Sequence, residues 1–416
     1  MNKKNETRAD MFIPNKKILE ESTQIFARDD ILELVRKGMI TSSAENDELK
    51  PDISSDSLRI DPSSFELTIS PKIYELPKGI SIVGSEKYSL EETEKVALIN
   101  GGKLIKPDSD GTITFSREKN YFIISNESLD LYKLRALFSG KSSLARCGVI
   151  AQVISGYNKE FNMTGSNHKD PVGILASFFF NTKMRLGQAI AHLRIFEQNG
   201  YLKPLSEHAL DQINKHEGLF FNRQGETITD SSLLRENGAH FGIDFSGKIL
   251  GYISKSPEET PVLDLTRKRS NRLLDFFDIL EVPKGKMQAH VPKGKLAIVN
   301  TDVAIRTPLN MSSYIKAESG RFGYFIACLA SFINPGDGLK QGHPLVFEII
   351  PYRDLALDSK RPYCFIEYYY NKSLIDEKWF RDNFEKTLPE FKYGLGEQDK
   401  SKGVWDEIKM PDFFRE

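Results

Sequence analysis

The sequence predicts a mainly β protein that consists of two related β-domains with a few short helices. Short runs of alternating or continuous apolar residues recur along it, separated by Gly, Pro, Asn and Asp, and helical spacing is scarce. Two of its segments can also be aligned without gaps. A chain of 416 residues is too long for one small core, so its length agrees with more than one domain.

The first predicted element is a helix, and most later elements are strands. Asp29 and Asp30 precede ILELVRKGMI, whose apolar residues have helical spacing, and Gly38 lies near its end. Further helical fragments, ESTQIF and WFRDNF, lie near the two ends of the chain. The strand-like runs are SSFELTI, KIYEL, YFIISN, VIAQVIS, HLRIF, KLAIVN, YFIACLASFI and LVFEII.

The internal alignment starts at Tyr121 in one segment and at Leu296 in the other. It places Arg146 over Arg321, and each arginine is followed by x-Gly and an apolar run. This shared pattern favours a duplication over chance similarity. The predicted organisation is an N-terminal extension (1–30), a first domain (31–205), a linker (206–238), a second domain (239–385) and a C-terminal tail (386–416).

Composition excludes several classes of protein. Because 57 basic residues nearly balance 58 acidic ones, no overall field attracts nucleic acid or an anionic membrane. The basic run RKRSNR is short and lacks interleaved aromatic residues. The 3 cysteines form no C-x-x-C, which argues against a disulfide framework and a structural zinc site. No span approaches the roughly 20 apolar residues of a membrane helix, so we expect a cytoplasmic protein without nucleic-acid or membrane partners.

The stretch FSGKSSLARCG has the Gly-Lys-Ser core of a phosphate-binding loop. A P-loop requires a glycine five residues earlier, where this chain has Arg135, so a P-loop is excluded. An anion could instead lie at the start of a short helix, against free backbone amides and a cluster of polar side chains. The side chains of that cluster are Lys141, Ser142, Ser143 and Arg146. The same residues also fit a surface helix with ordinary serine caps.

Several motifs, in a consistent order, resemble the dCTP deaminases, a family related to the dUTPases. SGKSSLARCG is similar to the Gly-(Arg/Lys)-Ser-Ser-x-x-Arg-x-Gly motif of that family, and RIDPSSFELTIS and MRLGQAIAHLRIF are similar to its opening and closing strands. In the second half, FINPG and LVFEI resemble its Ile-Asp-Pro-Gly turn and its Leu-Glu strand. GYISKSPEETPVLDL resembles a two-domain bacterial branch. The resemblance covers most of residues 31–400.

The resemblance implies a fold, an assembly and an activity. Members have a β-clip, dUTPase-like fold, assemble as trimers of domains, and bind the nucleotide where neighbouring domains meet. For this chain it implies tandem dUTPase-like domains, a homo-oligomer, and conversion of dCTP to dUTP and ammonia, with Mg2+ accompanying the triphosphate. Glu348 would activate the attacking water, and Arg321 would orient the base or the intermediate. The residues implied to hold the triphosphate are Lys141, Ser142, Ser143 and Arg146.

The residues themselves indicate a reaction without zinc. No histidine is followed by x-Glu and no C-x-x-C exists, so the zinc deaminase signature is missing. Glu348 lies in LVFEI, an apolar strand where a lone carboxylate is partly desolvated and binds a proton nearer to neutral pH. An edge-strand glutamate that faces water is the alternative.

Each domain lacks part of the predicted site. The first-domain strand PVGILASFFFN, from Pro171, contains no acidic residue. The second-domain segment KAESGRFG keeps Arg321 but lacks the Ser-Ser pair. The two domains could therefore contribute complementary parts to one composite site, or both could have become scaffolding.

Asn334 bears on the choice among related activities. A dUTPase has an aspartate on the corresponding turn to activate water, and an amide cannot act as that base. We therefore expect Asn334 to contact substrate and the chain to deaminate dCTP. A dUTPase-like pyrophosphohydrolase and a catalytically inactive nucleotide-binding or assembly protein stay open as alternatives.

Overall fold

The structure is a computed structural model and describes residues 22–43, 59–165, 167–197, 202–282, 288–318, 326–327, 329–339, 342–384, 408 and 410–415. Over these ranges the protein is mainly β with a few short helices, as predicted. The described α-helices are α1 (Arg28–Arg36), α2 (Leu90–Ile99), α3 (Ser142–Ala145), α4 (Glu207–Glu217), α5 (Leu273–Phe276) and α6 (Glu377–Trp379). Helical turns of other types are Ser231–Leu233, Pro257–Glu259 and Phe380–Phe384. None of these helices has the length and apolar composition of a membrane span.

The first domain is built on one large sheet. Its strands are β1 (Ile40–Ser42), β2 (Phe65–Leu76), β3 (Lys103–Ile105), β4 (Thr112–Phe115), β5 (Asn120–Asp130), β6 (Leu134–Gly140), β7 (Val149–Ile154), β8 (Lys169–Phe178), β9 (Thr182–Arg185) and β10 (Ala189–Glu197). Eight of them form a sheet in the order β6-β10-β2-β5-β8-β7, with β1 beside β5 and β3 beside β2. The 12-residue strand β2 pairs with β10 at its start and with β5 further along, so it joins the two halves of this sheet.

The second domain has two main sheets among the residues that the structure describes. Its strands are β11 (Phe220–Phe221), β12 (Leu234–Arg235), β13 (Gly238–Phe241), β14 (Ile249–Ser254), β15 (Leu263–Asp264), β16 (Asn271–Arg272), β17 (Phe277–Glu281), β18 (Gln288–Val291), β19 (Ala297–Ile305), β20 (Met311–Ala317), β21 (Ile326–Ala327), β22 (Phe332–Ile333), β23 (His343–Pro351), β24 (Leu355–Asp358), β25 (Cys364–Tyr370) and β26 (Phe414–Arg415). One sheet has the order β17-β14-β19-β23-β21 with β11 beside β19, and the other has the order β12-β13-β25-β20-β22. The run YFIACLASFI is not one strand, because its described residues form the separate strands β21 and β22.

The same strand pairings occur in both domains. The pairs β6·β10, β2·β10, β2·β5, β5·β8 and β7·β8 of the first domain correspond to β20·β25, β13·β25, β14·β19, β19·β23 and β21·β23 of the second. The place of the long strand β2 is taken by the two strands β13 and β14. Because no single strand spans both halves there, the second domain has two main sheets where the first has one main sheet.

The segment 206–238 is part of the second domain, and its prediction as a linker is wrong. It contains α4. The side chain of Ser206, directly before this helix, accepts a hydrogen bond from the Ala209 amide and so caps the helix start. Strand β11 of the same segment pairs with β19. The residues of this segment that lie in the second core include Ala209, Leu210, Ile213, Leu219 and Phe220.

Residues 22–27, predicted as part of a separate extension, form a strap across both domains. The Ile25 amide donates to the carbonyl oxygen of Tyr370 in β25 at 2.9 Å, and the Phe26 amide donates to that of Ile195 in β10 at 2.8 Å. The helix α1 follows the strap and packs into the first core, as its apolar spacing predicts. Of the predicted tail, β26 pairs with β16, and residues 386–407 lie outside the described ranges.

The two domains share an apolar contact. Side chains of the second domain complete the core of the first, which fixes one domain against the other. The buried second-domain residues in this core are Leu263, Leu265, Phe276, Phe277, Leu296, Ile298, Leu329, Ala330 and Phe414. The candidate site lies along this contact.

Candidate active site

Glu348 lies on the face of β23 that points toward the first domain. Its sequence neighbours Phe347 and Ile349 are in the second core, and strand alternation turns Glu348 to the opposite face. Val346 and Ile350, on the same face as Glu348, pack against the core of the first domain. Glu348 is 2% exposed, so its carboxyl group is enclosed by the contact between the domains. It is not an edge-strand glutamate that faces water.

Arg146 of the first domain acts on Glu348 across this contact. Burial raises the pKa of Glu348 to about 7, and the positive charge of Arg146 limits that rise. Burial also raises the pKa of the Cys147 thiol. The charge of Arg146 lowers this pKa and that of Glu348 raises it, both by less than burial does, so all three groups lie together. Arg146 is itself 8% exposed, and its Nε donates to the carbonyl oxygen of Ser142 at 3.4 Å. The structure therefore brings the GKSSLAR segment and β23 together, as a composite site requires.

Gly140, at the end of β6, allows the second domain to approach this segment closely. A Cβ atom at Gly140 would lie 2.7 Å from the carbonyl oxygen of Leu329, which belongs to the second domain. Beside it, the Ser331 amide donates to Ser139 Oγ at 2.8 Å. The glycine of the motif is thus required by interdomain packing.

Substitution of Gly140 by Ala is expected to weaken the domain contact. The new methyl group meets backbone rather than a flexible side chain, and overpacking of this kind costs about 1–3 kcal/mol. We expect a lower melting temperature and a lower rate of the reaction proposed below, measured by thermal unfolding and by turnover. Gly247→Ala is the matched control, because its nearest neighbour atom would lie at an ordinary 3.5 Å. Equal stability of the two variants would contradict this explanation of Gly140.

Lys141 extends toward acidic residues of its own domain. Its ammonium group contacts Glu66 Oε1, and His192 Nε2 lies 3.6 Å from the same oxygen. On the other side of the ring, His192 Nδ1 lies 3.5 Å from Asp61 Oδ2. The strands β6, β10 and β2 are adjacent in the sheet, so these distant parts of the sequence form one polar row.

The two carboxyl groups of this row behave differently. Burial alone would raise the pKa of Glu66, but the neighbouring His192 and the charge of Lys141 outweigh it and lower the pKa to about 2. For Asp61, burial dominates and raises the pKa, although the charge of His192 opposes it. Glu66 is therefore the ionised partner of Lys141. Sequence reasoning did not select Asp61, Glu66 or His192, although all three lie in motifs that it used.

Ser142 and Ser143 form the first turn of α3 and do not cap it. The residue before the helix is Lys141, whose side chain makes no capping hydrogen bond. Ser142 is exposed and Ser143 is half-buried. The alternative of a serine-capped surface helix is therefore wrong, and the two serines lie one helical turn before Arg146.

Asn334 is held by the first domain on the Arg194 side of the contact. Its Oδ1 accepts from Ser64 Oγ and from the Arg194 guanidinium, both at 3.5 Å. Arg194 is 1% exposed and reaches across the contact to donate to the carbonyl oxygens of Ser313 at 2.6 Å and Ile333 at 2.7 Å. The FINPG turn is thus attached to β10. Arg321, the remaining predicted site residue, lies outside the described residues.

Comparison with solved structures shows the fold. The crystal structure of 2'-deoxycytidine 5'-triphosphate deaminase from Agrobacterium tumefaciens matches with a TM-score of 0.70 and 19% sequence identity, over 85% of this chain and 100% of that one. The native EIAV dUTPase matches 25% of this chain and 81% of its own at 14% identity, and its TM-score of 0.18 is too low to support an argument. No curated protein matches the chain.

Comparison with family models identifies the second domain. Residues 206–349 match the model described as 2'-deoxycytidine 5'-triphosphate deaminase (DCD), C-terminal domain. This match lies within the second domain, and the similarity of the whole chain to the Agrobacterium tumefaciens deaminase is one of fold. The matched range begins at the segment that contains α4 and ends one residue after Glu348. The predicted dUTPase-like fold is confirmed. The start of the matched range at residue 206 agrees with the packing of segment 206–238 in the second core.

Proposed function

We propose that this protein deaminates dCTP to dUTP and ammonia at a site completed by both of its domains. The observation that supports this most strongly is Glu348, a buried carboxyl group with its pKa raised to about 7, facing Arg146 of the other domain. The match of residues 206–349 to the C-terminal domain of 2'-deoxycytidine 5'-triphosphate deaminases supports the same substrate. The dUTP formed would supply pyrimidine deoxynucleotide metabolism.

The proposed reaction uses Glu348 as the proton carrier. The ionised carboxylate takes a proton from water as the oxygen adds to C4 of cytosine, and it passes this proton to ring N3. A second proton, from the new C4 hydroxyl group, then goes to the amino nitrogen. The C4–N bond breaks, C4 becomes a carbonyl carbon, and ammonia leaves. A pKa near 7 suits this cycle, because the group both accepts and returns a proton at neutral pH.

Arg146 would support this base and face the substrate. Its charge favours the ionised form of Glu348, because it opposes the rise in the pKa of that group. The hydroxyl groups of Ser142 and Ser143, with the Lys141 ammonium, would contact the triphosphate. Arg321 and Asn334 would orient the base, and the trimeric arrangement of domains stays a prediction.

Mg2+ would arrive with the triphosphate as part of the substrate. Among the residues that the structure describes, no group of three or more His, Cys, Asp and Glu side chains is placed to hold a metal ion. The phosphate oxygens themselves are the hard ligands that Mg2+ prefers.

The first test is turnover of dCTP in the presence of Mg2+, with ammonia and the nucleotide products assayed together. We expect equal amounts of ammonia and dUTP. Ser142→Ala should raise KM about 10-fold with little change in kcat, because a neutral donor to a phosphate is worth about 1.5 kcal/mol or more. Ser231→Ala, an exposed serine of the second domain, is the control and should leave both constants unchanged.

Other outcomes would identify the alternatives. Release of pyrophosphate without ammonia would replace deamination by phosphoanhydride hydrolysis. Binding of dCTP without any product, and without an effect of Glu348→Gln on binding, would indicate a nucleotide-binding protein that has no catalytic activity.

A further inference from the structure

The recurring strand pairings define a second position that could have formed a reciprocal site. The contact described above combines the GKSSLAR segment of the first domain with β23 of the second. The reciprocal combination is the segment after β20 with the first-domain strand β8. Strand β8 can be located by register, and Glu318 is the residue directly after β20 that the structure describes.

The register of β8 and β23 is fixed by an irregularity that both share. In each ladder the pairing shifts next to a proline, Pro171 in β8 and Pro344 in β23. Counting from these prolines, Leu175 occupies the position of Glu348. Leu175 also points away from its domain core, as Glu348 does, because Ile174 and Ala176 are the core residues of β8.

The face of β8 that carries Leu175 is already covered by its own domain. Leu175 is 5% exposed and packs in a separate apolar cluster with Leu90 and Ala97 of α2. A Cβ atom on the neighbouring Gly173 would lie 2.3 Å from the ring of Phe122, so this layer is tightly filled. The helix α2 therefore occupies the space that a base would need, and no carboxylate is present at this position.

The phosphate end of the reciprocal position is also changed. In the alignment that places Arg146 over Arg321, Glu318 takes the position of Ser143. The Glu318 side chain is 1% exposed, contacts His240 Nδ1, and lies 3.3 Å from Arg235. A buried carboxylate at this point repels a triphosphate, whereas the serine hydroxyl at the first position can donate to one.

We infer that each chain binds one nucleotide and that the reciprocal position has become structural, with the buried Glu318 held by the buried His240 and the exposed Arg235 of the second domain. This inference rests on the proposed function, because it takes the substrate to be a deoxycytidine nucleotide. It assigns Glu318 to folding and excludes it from substrate binding.

The test is the stoichiometry of Mg2+–dCTP binding, measured by titration calorimetry on Glu348→Gln, in which turnover is blocked. One nucleotide per chain is expected, and titration of the unaltered protein with the product dUTP gives an independent count. Two nucleotides per chain would overturn the inference and leave the proposed function standing. No binding of either nucleotide would overturn both.

Glu318→Gln tests whether Glu318, at the reciprocal position, contributes to folding or to substrate binding. We expect a melting temperature several degrees lower, because His240 and Arg235 lose their buried partner, and an unchanged KM for dCTP. Ser143→Ala at the other position should instead raise KM several-fold. A several-fold change in KM with Glu318→Gln would overturn the inference, and the stoichiometry measurement decides the matter if this variant does not fold.

Discussion

Glu348→Gln is expected to lower kcat for dCTP deamination at least about 100-fold, since a positioned base contributes 10²–10⁴-fold. Glutamine has nearly the same shape but cannot take a proton from water. Substrate affinity should change little, because the residues proposed to bind the phosphates lie in the first domain. Turnover and calorimetric binding, measured on the same preparation, separate these two effects.

The same substitution is expected to stabilise the protein above neutral pH. The pKa of Glu348 rises from its ordinary 4.5 to about 7 on folding. The free energy of unfolding of the wild type therefore has its full value below pH 4.5 and declines as pH rises from there through 7. It declines because Glu348 ionises at a lower pH in the unfolded chain than in the folded protein. At 1.36 kcal/mol per pH unit, the loss is about 3 kcal/mol at pH 8. Glutamine does not ionise and avoids this loss.

Urea unfolding at pH 4.5 and pH 8 tests the stability effect. The variant and the wild type should be alike at the lower pH, and the variant should be more stable at the higher one. Glu197→Gln is the control, because that side chain is 52% exposed, and it should alter neither stability nor turnover. Full activity of Glu348→Gln would remove Glu348 from the mechanism.

Arg146→Met is expected to lower kcat/KM by about 100-fold or more, because Arg146 is proposed both to face the substrate and to favour the ionised form of Glu348. Arg146 is the positive charge that opposes the rise in the pKa of Glu348, so its loss should move that pKa above 7. The acid limb of the pH–rate profile should then shift to higher pH. The limb shifts to higher pH because Glu348 must be ionised to accept a proton, and a group with a higher pKa ionises only at higher pH.

Arg146→Lys distinguishes charge from geometry. Lysine keeps the positive charge, so the acid limb should return toward that of the wild type, but it lacks the planar guanidinium group and should recover only part of kcat/KM. Arg185→Met removes an exposed charge of the same domain and serves as the control. An unshifted pH profile in Arg146→Met would show that the two residues are not coupled in the working enzyme.

The sequence predicts local elements of this fold better than their partners. The helix α1 and the main strands follow from apolar spacing and turn residues. By contrast, α4 lies in a segment predicted as a linker, because charged residues surround its apolar positions Ala209, Leu210 and Ile213. Only the second core shows what these residues pack against. Helix α2 was also missed, although Ser89 and Glu92 form a capping box at its start.

In the candidate site, too, the sequence predicts local motifs better than the contacts between distant residues. Glu348 and the GKSSLAR residues can be selected because each lies in a recognisable motif, and the complementary gaps in the two domains suggest that they meet. The row of Lys141, Glu66 and His192 could not be predicted in the same way. These residues become neighbours only because β6, β10 and β2 are adjacent in the sheet, and this order is a property of the whole domain.

The strap formed by residues 22–27 has a consequence for the order of folding. Ile25 joins β25 near the end of the second domain, and the Ser373 hydroxyl donates to Asp30 at 2.7 Å across 343 residues of chain. During synthesis, the first residues of the first domain must therefore wait for the last strands of the second before they reach their final position. The first domain cannot finish folding as an independent unit, even though it is made first.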